Sequence, residues 1–225
     1  MGRSAAFLLC ILLLAAALRP ASAAPLTYEY RVKHPTFGNI GTYTNIIERT
    51  GDGVRVQTIV RIAVKIFGAT VYREQADRME QWKAGRLVYF HGTTQKNGRR
   101  IDVTGEARDG QFVITGPEGT YIAPADVQPP NPWSIDCLKS DTMLSSITGK
   151  IYPARITDQG EDTVTVGGQP HRARKYEVDT DRPHLVWFDE SGVPVMLQSV
   201  EHGDTVRLTL TGYPETVNLA AAPPQ

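Results

Sequence analysis

The stretch that decides the fold is Val54–Ile66, VRVQTIVRIAVKI. Val54, Val56, Thr58, Val60, Ile62, Val64 and Ile66 share one parity, and Arg55, Gln57, Arg61 and Lys65 share the other. Successive side chains of a strand point to opposite faces, so this alternation describes a strand with one buried and one wet face. At about 3.3 Å per residue its 13 residues span about 43 Å, more than twice the usual strand length. A strand that long belongs to a strongly curved antiparallel sheet.

The same grammar extends both ways. Leu26–Lys33 alternates around Tyr28 and Tyr30, and Gly38–Arg49 follows. Within Ala69–Lys83, Tyr72, Ala76 and Trp82 share even parity, which favours a strand over a helix despite good helix formers. Leu87–Gln95 and Ile101–Arg108 flank Asn97-Gly98, a pair suited to a type I′ hairpin turn because both residues need positive φ. Asp109-Gly110 leads into Gln111–Thr115. Residues 117–150 then read as a proline-bearing crossover (Pro124, Pro129, Pro130, Pro132), because proline cannot donate to a central ladder. Ser140 and Asp141 predict a cap for one short helix running to Ile147, with Gly149 closing it. Strands resume at Tyr152–Thr157, Asp162–Val166, His171–Val178, Leu185–Asp189, Val193–His202 and Thr205–Thr211. The expected class is all-β, or β-dominated α+β: ten to twelve strands in a large curved antiparallel sheet or partly closed barrel, with a short helix in a long crossover.

The N-terminus carries Arg3, the 12-residue apolar run Phe7–Leu18 and Ala21-Ser22-Ala23, the layout of a cleaved secretory signal over residues 1–23. The run is too short for a bilayer span of about 20 residues. Its removal leaves 202 residues with 22 basic and 24 acidic side chains, net −2, and no expected integral membrane span. Residues 24–219 read as one β-rich domain and 220–225 as a flexible tail. The expected location is the periplasm, with full secretion as the alternative. Balanced charge excludes the basic surplus of a nucleic-acid binder. Cys137 is the sole cysteine past the signal, so no internal disulfide forms.

Chemistry-bearing motifs are missing: no G-x-S-x-G, P-loop, dinucleotide fingerprint or H-E-x-x-H. His34, His91, His171, His184 and His202 form no i, i+2 or i+4 pair. The reading is therefore no catalytic residue, no metal site and no cofactor. Two enzymatic alternatives stay open, a Cys137 nucleophile and the carboxylates Glu74, Asp77 and Glu80; the latter read more simply as solvated partners of Arg73 and Arg78. Aromatic residues stand out instead. Tyr72, Trp82, Tyr89, Trp133 and Trp187 either pack a solid core or line an apolar cavity, and as ligand-binding candidates they imply a lipid, a lipidated protein or another envelope partner.

Three stretches carry a resemblance: VYREQADRMEQWKAGRLVYFHGTTQKNGRRIDV (71–103), PPNPW (129–133) and HLVWFDESGVPVMLQSVEHGDTVRLTL (184–210). They resemble a group of exported bacterial domains of unknown function. That group is similar in presumed fold to the LolA- and LolB-like lipoprotein carriers of the envelope. The resemblance implies a curved antiparallel sheet and a non-catalytic role in binding a hydrophobic ligand or envelope partner. The alternative is a structural or interaction module with a filled core.

Overall fold

A computed structural model describes residues 24–130, 133–201 and 203–214. The signal read at 1–23, the tail at 220–225, Pro132 and His202 lie outside the described residues. Thirteen strands form a single open antiparallel sheet. Its first seven members in space run β11 (Arg155–Val166), β12 (Gln169–Asp179), β13 (His184–Asp189), β14 (Pro194–Glu201), β15 (Asp204–Leu210), β1 (Leu26–His34) and β2 (Gly38–Thr50). The order continues through β3 (Gly53–Ile66), β4 (Ala69–Lys83), β5 (Arg86–Lys96), β6 (Arg99–Arg108), β7 (Gln111–Gly116) and β8 (Gly119–Pro124). A separate two-stranded ribbon joins β9 (Thr142–Leu144) to β10 (Ile151–Pro153). Every pairing between neighbours in the large sheet is antiparallel, and the closing pair β1–β15 brings the chain's two ends together.

The expected central strand is β3, with Val56, Thr58, Val60 and Val64 buried and Arg55, Arg61 and Lys65 exposed. Tight turns hold the meander. At Ala84-Gly85, Asn97-Gly98 and Asp109-Gly110 both residues have positive φ, the type I′ geometry whose twist matches that of the flanking strands. The concave face is filled rather than hollow. Tyr30, Phe90, Phe112 and Phe188 are fully buried there, and glycines make room for rings: a Cβ on Gly105 would lie 2.5 Å from the Phe112 ring.

The region after β7 differs from expectation. Gly116–Gly119 is a hairpin turn, so β8 extends the sheet before the crossover starts. The Ser140–Ile147 helix does not form. A 3-10 helix occupies Ile135–Lys139 instead, capped by the Ser134 hydroxyl. The Ser140 hydroxyl bonds the backbone of Thr142, and 142–144 is strand. Gly149 does have positive φ, but it closes a single turn onto the Ser145 carbonyl. The two strands expected at Tyr152–Thr157 and Asp162–Val166 are largely one, β11, continuous through an irregularity at Asp158/Gly160, with Ile151–Pro153 split off as β10. Two short pieces and the added β8 raise the count to fifteen strands among the described residues.

Candidate functional site

Register puts chemistry on the concave face of the long strands. The row Asn45, Thr58, Arg78 and Gly92 runs across β2 to β5; a second row holds Tyr43, Val60, Ala76 and Thr94, and a third Ile47, Val56, Glu80 and Phe90. Arg78 and Glu80 are 4% and 3% exposed, as buried as the valines beside them. Thr58 donates to Asn45 Oδ1 at 2.8 Å. Tyr43 Oη, Asn45 Nδ2, Arg78 Nε and Thr94 Oγ1 have no hydrogen-bond partner among the described residues. Desolvation raises the Tyr43 phenol to about 12 and Glu80 to about 7; the hydrogen bond from Trp82, the charge of Arg78 and the nearby Trp133 indole pull Glu80 back only in part.

The carboxylates expected as solvated partners of Arg73 and Arg78 are therefore arranged otherwise. Glu80 is buried and accepts a bond from Trp82 Nε1 at 2.9 Å. Asp77 on the outer face accepts from Gln57 Nε2, and Glu74 accepts from the Tyr72 hydroxyl. The physical reason is parity. Glu80 is two residues from Trp82 and four from Ala76, so it faces inward with them.

The crossover closes over one end of this face. Its backbone bonds Ile135 to Gly192 and Leu144 to Gln128, and a Cβ on Gly116 would lie 2.1 Å from the Thr148 carbonyl oxygen, so the Ser145–Gly149 turn sits flush on β7. Trp133 meets Trp82 edge-on, with ring centroids 5.7 Å apart at 68°. The two indoles open onto a cleft of about 200 Å³ whose lining includes Arg49, Val54, Gln128 and Cys137. Cys137 is buried, and burial pushes its thiol far above the ordinary value, so it carries no thiolate at neutral pH.

Two of the five aromatic candidates thus converge, Trp82 and Trp133. Tyr72 lies on β4 under the Lys96 ammonium at 5.5 Å. Tyr89 pairs in register with Gln81 and Glu106 on the outer face. Trp187 faces the other side of the sheet yet is buried in the hydrophobic core, 4% exposed, donating from Nε1 to Asp162 Oδ2 at 2.7 Å. Sequence reasoning named Arg78 and Glu80 but placed them on a solvated face, though the parity that places Trp82 inward was there to place them too.

Comparison with known proteins bears on fold and family. The fold is similar to the crystal structure of a β-barrel-like protein of domain of unknown function DUF1849 from Brucella abortus, with TM-score 0.55 and 9% identity, covering 84% of this chain and 97% of that one. A DUF1089 family protein from Pseudomonas aeruginosa aligns over 91% of this chain and 96% of its own at 14% identity, with TM-score 0.30. The Pseudomonas aeruginosa MucA/MucB complex aligns over 88% and 56% at 15% identity, with TM-score 0.26. No curated protein matches the chain. Among the described residues, no helix is long and apolar enough to cross a membrane. The model of one family covers residues 38–211, most of the chain, and the chain belongs to that family, the Domain of unknown function DUF6134.

Proposed function

We propose that this is an exported, non-catalytic binding protein of the bacterial envelope that accepts an apolar group in the cleft lined by Trp82 and Trp133. The observation that carries the reading is the edge-on indole pair on a cleft of about 200 Å³, held in place by the crossover. Pockets for whole small molecules run to roughly 300–1,000 Å³. The smaller cleft suits one protruding group, such as the end of an acyl chain on a lipid or lipidated partner. The indoles supply apolar surface, and Glu80 behind them orders Trp82 through its Nε1 bond. The buried, protonated thiol of Cys137 favours binding over nucleophilic chemistry.

Titration of the purified protein with 1-dodecanol, an uncharged chain without the anionic head group, followed by tryptophan fluorescence, tests this. Saturable quenching in the wild type, and its loss in Trp133→Ala with an unchanged melting temperature, is the expected result. Equal quenching in the variant would remove the cleft from the proposal. A second reading, a protein-interaction module with a solid interior, draws on Tyr30, Phe90, Phe112 and Phe188 filling the concavity. Native mass spectrometry of the protein taken from its own envelope separates the two: bound lipid favours the first, a bound protein the second.

A further inference from the structure

A groove larger than the Trp82–Trp133 cleft lies on the other face of the sheet. The tip of the β11–β12 hairpin folds over β14, β15 and β1 and encloses about 660 Å³, well within the range of ligand pockets. We propose that this groove binds a single-chain anionic amphiphile, with its carboxylate or phosphate head against Arg31, Lys33 and Arg207 and its tail on Trp187, Met196 and Val164.

Register brings the three cations together. Lys33 and Arg207 are direct cross-strand partners, and Arg31 is two residues along on the same face, opposite Thr209. Like charges set directly opposite destabilise a sheet, so this pairing needs a counter-charge. Among the described residues neither Arg31 nor Lys33 has a carboxylate within ion-pair distance, and Arg207 reaches only the neutral Gln198 Oε1, at 3.0 and 3.3 Å. Among the described residues the sole acid lining the groove is Asp162, and it is already occupied: it accepts from Trp187 Nε1 and from the Thr163 amide, each at 2.7 Å. The whole chain has net charge 0, so the surplus is local to the groove. Beside the cations the surface turns apolar. The row that holds Arg31 and Thr209 continues through Met196 and Trp187 to Lys175, whose ammonium lies 5.5 Å over the Trp187 ring. A charged patch running into an apolar floor matches a head group joined to a chain. Since the inward row containing Tyr30 leads to Tyr43 and Val60, the groove and the Trp82–Trp133 cleft occupy opposite faces, and neither proposal rests on the other.

Calorimetric titration at low ionic strength decides it, with dodecyl phosphate, dodecyl maltoside and inorganic phosphate as separate probes. Dodecyl phosphate is expected to bind at least tenfold more tightly than either of the others, because only it carries both parts. The double variant Lys33→Gln/Arg207→Gln is expected to lose at least tenfold in affinity for it, and Trp133→Ala none. Equal binding of the maltoside, equal binding of inorganic phosphate, or unchanged affinity in the double variant would each overturn the proposal. Should the double variant not fold, the ranking of the three probes on the wild type still decides.

Discussion

The two faces of the sheet treat charge in opposite ways. On the concave side Arg78 and Glu80 sit among valines and phenylalanines, sealed by the crossover. On the convex side Arg31, Lys33 and Arg207 stand in open solvent around a groove. Burial makes the inner pair costly and fixed, since a charge removed from water must neutralise or find a partner. Exposure leaves the outer trio hydrated and available to an incoming anion. Charged residues on one sheet thus mark structure on one side and recognition on the other, and one step in strand parity separates the two.

The comparison breaks most easily in the interior. Phe90 is fully buried, with its ring 3.1 Å from where a Gly92 Cβ would stand. Phe90→Ala should cost about 3–5 kcal/mol, through lost apolar burial and the cavity left behind. Urea denaturation measures it. A cost under about 1 kcal/mol would mean the concave face is hollow and not packed.

Glu80 sharpens the contrast through pH. Its carboxyl titrates near 4.5 when unfolded and about 7 when folded, because burial disfavours the charged form. Folding therefore favours the neutral acid: the stability it contributes is full below pH 4.5 and declines as pH rises through 7. The loss amounts to about 3 kcal/mol by pH 9. Glu80→Gln keeps an acceptor for Trp82 and removes the charge, so it should match the wild type near pH 4 and exceed its melting temperature at pH 9. Parallel melting curves across that range would show Glu80 to be solvated.

What could be read beforehand follows the same logic. Val54–Ile66 was legible because its charged residues all share one parity and its valines the other. Arg78 and Glu80 were not: they occupy the parity of Ala76 and Trp82, but their side-chain type argued for the outer face. Trp187 was hidden for another reason. Leu185-Val186-Trp187-Phe188 is apolar without alternation, and such a run does not tell which residue faces which way. The crossover misled because Ser140 and Gly149 look like caps. Local bonds to Thr142 and Ser145 satisfy them without a helix. The Lys33–Arg207 pairing joins strands 174 positions apart and exists only in register.

The hairpin turns give a smaller effect, outside both faces. Phe67 has φ 48° and projects fully into solvent, where the equivalent turns hold Asn97 and Asp109. A left-handed backbone suits Asn far better than a bulky aromatic residue. Phe67→Asn should stabilise the protein by about 0.5–1 kcal/mol, read by thermal melting. No gain would mean that the Phe67 ring makes up for its own strain by a contact on the hairpin.

The smallest effect tests the outer face alone. Lys33→Gln removes one of two like charges set directly opposite, at an exposed position, so relief of repulsion should raise stability by a few tenths of a kcal/mol. Salt should shrink the gain, most strongly near 1 M, where the screening length falls to about 3 Å, below the separation of a cross-strand pair. The same substitution is the one expected to weaken binding of an anionic head group. A variant more stable than the wild type at low salt, yet a poorer binder, is the signature of cations kept for a ligand at the expense of the fold. If Lys33→Gln destabilises instead, Lys33 is held by a contact within the chain, and the outer face would be structural like the inner one.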